Sequence, residues 1–125
     1  MVSNMIRLIK RRLIIPQGDT GTFTIPTQGF VSQGDLAVLT IMDPLTRTIL
    51  LEKRIDATEE TLTFKFNHAD TIDIEPSNKY LWDITIYRAP VLDESGKITD
   101  AEDIDSYYGA FKLPICEIRG VPRVL

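Results

Sequence analysis

Lys79-Tyr80-Leu81-Trp82-Asp83-Ile84-Thr85-Ile86-Tyr87 is the stretch whose reading decides the fold. Tyr80, Trp82, Ile84 and Ile86 fall on one parity, and Leu81, Asp83, Thr85 and Tyr87 on the other. Side chains alternate between the two faces of a strand, so the pattern predicts a strand with one wholly apolar side. A large aromatic on a middle strand fills the space between two sheets, which makes Trp82 the expected centre of the core. Tyr80 follows Pro76 by four residues. That position suits a tyrosine corner, in which the hydroxyl satisfies backbone in the preceding turn.

The same alternation recurs on both sides. In Thr22-Phe23-Thr24-Ile25 the apolar residues share a face; Gly18, Asp19 and Gly21 before it suit a turn, and Pro26 ends it. Leu62, Phe64 and Phe66 alternate with Thr61, Thr63 and Lys65. Leu36 to Met42 is apolar on both parities, as in a central strand or a subunit contact. Asp43-Pro44-Leu45-Thr46-Arg47 reads as a hairpin loop with Pro44 at the second position of a type I turn. The return strand, Thr48 to Ile55, groups Ile49, Leu51, Lys53 and Ile55 against Leu50, Glu52 and Arg54. A short segment around Ile72 and Ile74, a strand at 107–113 with Tyr107, Gly109, Phe111 and Leu113 on one parity, and an edge strand over Ile115 to Ile118 complete the series.

The expected fold is all-β, an immunoglobulin-like antiparallel β-sandwich of about seven strands with one long acidic loop at 89–106. It is expected to occupy 13–119, preceded by a basic arm or first strand at 1–12 and followed by a tail at 120–125. A short amphipathic helix over Asn4 to Leu13, with Met5, Leu8, Ile9 and Leu13 at helical spacing, is the competing reading of the start. The β-branched Ile6, Ile9, Ile14 and Ile15 favour the extended one.

A chain of 125 residues fits one domain that folds without metal or disulfide. Hydrophobic residues at 43% and charged residues at 26% match globular proteins rather than disordered or membrane chains, and no apolar run reaches the ~20 residues needed to span a bilayer. The net charge of −4 argues against general nucleic-acid binding. The single Cys116 and single His68 preclude an internal disulfide and a His-rich metal site, and fit synthesis in a reducing cytoplasm. The N-terminus lacks the apolar core of a secretory signal. Cofactors and small-molecule substrates are not expected.

Charge is segregated along the chain. Arg7, Lys10, Arg11 and Arg12 stand among the first twelve residues without an acid, whereas 93–105 hold six acids against Lys97. Such separation can steer subunits head to tail, although solvated edges and loops carry the same pattern. Tyr87, Tyr107 and Tyr108 are expected near the base of the acidic loop, either at an interface or packed on the loop.

Candidate chemistry is sparse. Asp93, Ser95, Gly96, Ile98 and Glu102 fall at positions 3, 5, 6, 8 and 12 of an EF-hand-like calcium loop. Position 1 would be Val91, which has no side-chain oxygen, so Asp93, Ser95 and Glu102 are only weak metal candidates. Asp100, Glu102, Asp103 and Asp105 on an exposed loop lack the burial that raises a catalytic carboxyl's pKa. His68 beside Asn67 and Asp70 has no evident nucleophile to serve, and Cys116 has no basic neighbour in sequence to activate it. Neither a nucleophile elbow, a phosphate-cradling glycine loop nor a zinc helix is present, and no enzyme activity is expected.

Gln17-Gly18-Asp19-Thr20-Gly21-Thr22-Phe23-Thr24-Ile25, Lys79-Tyr80-Leu81-Trp82-Asp83-Ile84 and Gly109-Ala110-Phe111 together resemble small immunoglobulin-like structural proteins of tailed bacteriophages and prophages. Among these the chain is similar to the N-terminal domain of baseplate upper proteins, over about 13–119. The resemblance implies a non-enzymatic virion protein, made in the bacterial cytoplasm, that binds other virion proteins and copies of itself without contacting nucleic acid or membrane. Its contacts are expected at Arg7, Lys10, Arg11 and Arg12 and at Tyr87, Tyr107 and Tyr108. A carbohydrate- or calcium-binding module using the 89–106 loop is the alternative.

Overall fold

The computed structural model describes residues 6–27, 29, 31–57, 60–106 and 115–120. Among them are eleven strands and one short helix: β1 (Arg7–Ile9), β2 (Arg12–Pro16), β3 (Gly21–Pro26), β4 (Leu36–Asp43), β5 (Thr48–Asp56), β6 (Thr61–Phe66), α1 (His68–Thr71), β7 (Ser77–Arg88), β8 (Val91–Leu92), β9 (Ile98–Asp100), β10 (Asp103–Ser106) and β11 (Ile115–Arg119). The chain is nearly all β, as its alternation requires. No described helix is long and apolar enough to cross a membrane.

The largest sheet runs β1-β2-β11-β7-β4-β5, and β10 joins it by pairing with β7. The twelve residues of β7 make it the spine. β4 lies along Leu81–Tyr87, while β11 pairs with its first part and β10 with Thr85–Arg88. β3 and β6 form a separate antiparallel pair. Phe23, Ile25, Leu62, Phe64 and Phe66 of that pair join Leu13, Ile15, Leu39, Ile41, Trp82, Ile84 and Ile118 of the large sheet in one buried cluster. Trp82 is 2% exposed and meets Phe23 edge to face, with ring centroids 6.0 Å apart. The core thus sits between the two layers around the residue that the sequence places there.

Several expectations are corrected. The large sheet is mixed, because β2 and β11 pair in parallel, with Leu13 opposite Cys116. Parallel neighbours need a long connection, which two strands near opposite ends of the described chain supply. The short segment around Ile72 and Ile74 is the end of α1 and the turn that follows it. The Asp70 carboxylate accepts the Asn67 backbone N–H at 2.7 Å and so closes the helix start. In β5 an extra residue opposite Ile41 and Met42 makes a bulge. Leu50 and Leu51 both pack on the core, and Ile49 turns to the other face, 52% exposed.

The start of the chain is the extended alternative rather than a helix. β1 and β2 form a hairpin in which Ile9 pairs with Arg12 across Lys10 and Arg11. Lys10 at φ 48° and Arg11 at φ 68° both occupy the left-handed region, as a type I′ turn demands, although neither is the Asn or Gly that favours it. The Trp82 indole N–H donates to the Arg11 carbonyl at 2.9 Å, so the buried tryptophan finds its polar partner in this strained turn.

The combined Lys10→Asn and Arg11→Gly variant keeps that carbonyl and removes the strain. It is expected to gain about 1 kcal/mol, raising the melting temperature by roughly 3–6 °C. Thermal unfolding followed by circular dichroism checks this.

Candidate functional site

The residues singled out for interaction fall on two unlike parts of the large sheet. β1 is one edge, and Arg7, Lys10 and Arg11 are exposed beside Ile9, which is 48% exposed. Arg12 is held within the chain by an ion pair with Glu117, whose other oxygen accepts from Arg119 Nε at 2.8 Å. The bond from Arg119, opposed by burial and aided by Arg12, holds the Glu117 carboxyl below its ordinary range. Arg12 is therefore a tie between β2 and β11 as well as part of a basic edge. Tyr87 is half-buried on β7, between Leu36 of β4 and Ile104 of β10. Tyr107 and Tyr108 lie outside the described residues.

The acidic insertion is a built element. β8 and β9 form a hairpin, and β10 returns to the main sheet. Asp93 is spent on the hairpin turn, where Oδ1 accepts the Ser95 amide at 2.9 Å, the Ser95 hydroxyl at 2.7 Å and the Lys97 amide at 2.9 Å. Those bonds, Ser95 foremost, lower the Asp93 pKa. Val91 stands in β8 opposite Asp100, and the Glu102 amide donates to the Arg88 carbonyl at the far end of the hairpin. Asp93 and Ser95 at the tip are thus kept apart from Glu102 at the base, and the calcium-loop spacing does not become a coordination sphere. Among the described residues no group of three or more His, Cys, Asp or Glu is placed to hold a metal ion. Calorimetry with calcium chloride is expected to show no binding heat, for the wild type and for Glu102→Ala alike.

The strongest polar centre, at Asp35, was not singled out by the sequence. Its side chain is 7% exposed. Oδ2 accepts the Ser32 amide at 2.9 Å and Arg88 Nη1 at 3.0 Å, and Oδ1 accepts the Ala89 amide at 3.3 Å. Arg88 Nε in turn donates to Asp105 at 3.2 Å. Ala89 has φ 44°, so the chain leaves β7 through a left-handed residue whose amide is held by Asp35. An open cleft of about 430 Å³, lined by Ser32, Asp35, Arg88, Glu102, Asp103 and Asp105, lies over this network. Gly34-Asp35 ahead of an apolar strand reads locally as a turn, and only the tertiary approach of Arg88 reveals the network. Burial pushes the Asp35 carboxyl up, but the two amides and the guanidinium outweigh it and hold the pKa below its ordinary value.

His68 and Cys116 have structural roles. His68 Nδ1 lies 2.8 Å from the Gly18 carbonyl, so that nitrogen carries the proton. The Gly18 amide donates to Thr71 Oγ1 at 2.8 Å, and Gln17 Nε2 donates to the Ile72 and Ile74 carbonyls. The turn before β3 is thereby bolted to α1. Burial pushes the fully buried Cys116 thiol up to about 12, which leaves it unreactive. Tyr80 makes the expected corner, its hydroxyl donating to the Glu75 carbonyl at 2.6 Å.

The chain matches no family model, no curated protein and no solved structure.

Three outcomes follow for stability. Asp35→Ala removes the acceptor of Arg88 Nη1 and of two backbone amides, and is expected to cost about 3 kcal/mol in urea unfolding. A carboxyl whose folded pKa lies below its unfolded value stabilises fully above the unfolded pKa and loses that contribution as pH falls through the folded one. Wild-type stability is therefore expected to fall from about pH 5 downward, and that of Asp35→Asn to fall less steeply. Gly18→Ala is expected to destabilise by about 1–2 kcal/mol, because φ is +75° and a Cβ would stand 2.9 Å from Ile72 Cδ1.

Proposed function

We propose that the protein is a non-enzymatic assembly or attachment module of a tailed-phage or prophage virion, built as an immunoglobulin-like sandwich. The observation that carries the assembly role is the large sheet's pair of edges. β5 offers nine residues and, among the described residues, pairs only with β4; β1 carries an exposed basic row. Unpaired strand edges bind other chains through backbone hydrogen bonds, and flanking charges select which chain. The virion context rests on the resemblance of the turn at Gln17 to Gly21 and of the Tyr80 strand to phage structural proteins. The structure gives both segments framework tasks, the first bolting β3 to α1 and the second forming the spine, as suits a scaffold whose working parts are its surfaces.

The test is copurification. An affinity-tagged chain expressed in a host producing the cognate particles is expected to sediment with them and to be labelled on them by gold-conjugated antibody. Absence from particles, together with a single-chain mass at high concentration, would overturn the proposal.

A further inference from the structure

The two ends of the large sheet differ in charge. At the β1 end, Ile9 is 48% exposed between Arg7 and Lys10, both exposed. Among the described residues neither cation forms an ion pair. At the other end of the strand order, Arg54 of β5 donates to the Gly96 carbonyl, which brings the tip of the β8–β9 hairpin to that side. The hairpin exposes Val91 at 55% and Leu92 at 46%, beside Glu94 and Asp100, which likewise form no ion pair among the described residues. The β1 end thus combines a solvent-facing apolar side chain with positive charge, and the hairpin combines two such side chains with a net negative charge, Asp93, Glu94 and Asp100 outnumbering Lys97 and the Arg54 that meets the tip.

We propose that copies of this chain associate head to tail, the basic β1 edge of one docking on the acidic β8–β9 hairpin of the next; the inference rests on the assembly reading above and names its partner. An isologous dimer through the β1 edge sets Arg7 and Lys10 against their own copies, and one through the hairpin brings two net-negative surfaces together, so both are disfavoured relative to the contact of unlike surfaces. A heterologous contact sets Arg7 and Lys10 against Glu94 and Asp100, with Ile9 against Val91 and Leu92. It leaves one free head and one free tail, so association continues until a ring closes or a filament grows.

The experiment is a charge swap read by light scattering after size exclusion. Wild-type mass is expected to rise above one chain with concentration and to fall back as salt goes from about 0.05 M to about 0.5 M. Arg7→Glu with Lys10→Asp reverses the head, and Glu94→Lys with Asp100→Lys reverses the tail; Asp at position 10 tolerates the left-handed backbone there. Each variant alone is expected to run as a single chain, and an equimolar mixture to associate again. If a reversed variant does not fold by circular dichroism, the neutral pairs Arg7→Gln with Lys10→Asn and Glu94→Gln with Asp100→Asn replace it, and each is expected to lose association. A wild type that stays at one chain, association unchanged by either substitution, or reversed variants that fail to associate when mixed overturns the proposal. A reversed variant that still sediments with particles overturns the head-to-tail contact while leaving the assembly role standing.

Discussion

The fold depends on where the indole of Trp82 finds a home. Its ring needs apolar walls on every side and its N–H needs one acceptor, and few positions in a small β protein satisfy both. Phe23 of the β3–β6 pair supplies a wall from across the core, Ile41 is its neighbour on β4, and the Arg11 carbonyl is the acceptor. That last bond explains the tolerance of a costly turn. Lys10 and Arg11 hold left-handed conformations with side chains that disfavour them, because the turn puts one carbonyl over the edge of the core. The basic edge is therefore tied to the largest buried side chain of the core, and a loosening at the surface would break the bond from the indole N–H to the Arg11 carbonyl.

Legibility in the sequence followed the range of the interactions. Strands with strict alternation, Phe23 to Ile25, Leu62 to Phe66 and Tyr80 to Ile86, were readable because each buries one face against a single core. The Tyr80 corner was readable because both partners lie within one turn. What escaped depends on residues far apart in sequence. The parallel pairing of β2 with β11 has no local signature, since alternation is blind to strand direction. The bulge at Leu50 breaks the parity that alternation presumes, and Ile49 accordingly leaves the core face. The segment around Ile72 and Ile74 is too short for its alternation to classify, and the Asp70 carboxylate, bonding the Asn67 amide and Lys53, coils the chain before it into a helical turn.

The same distinction separates the candidate sites. Spacing alone likened Asp93, Ser95 and Glu102 to a calcium loop, yet spacing is a helix–loop–helix argument and the backbone here is a hairpin. Asp93 satisfies its own turn, as an Asx residue does wherever the chain reverses. Asp35 showed the opposite behaviour. It looks like an ordinary turn residue, but it gathers Ser32, Arg88 and Ala89 and through Arg88 reaches Asp105. Its position at the exit of β7 fixes the base from which the whole insertion departs.

That placement gives the charge segregation its spatial meaning. A flexible acidic loop would average its charge over many directions and favour no partner geometry. Instead, Asp35 and Arg88 anchor one end of the insertion, β10 rejoins the sheet, and the Arg54 bond to Gly96 holds the hairpin tip toward β5. The backbone that carries the cations is equally fixed, because Arg7 pairs with Ile14 in register and the Trp82 indole N–H bonds the Arg11 carbonyl of the turn. A basic edge at one end and a net-negative hairpin at the other give the molecule a direction along its strand order. Interfaces built on such a direction favour unlike surfaces over like ones, and they weaken with salt because both surfaces remain solvated before contact.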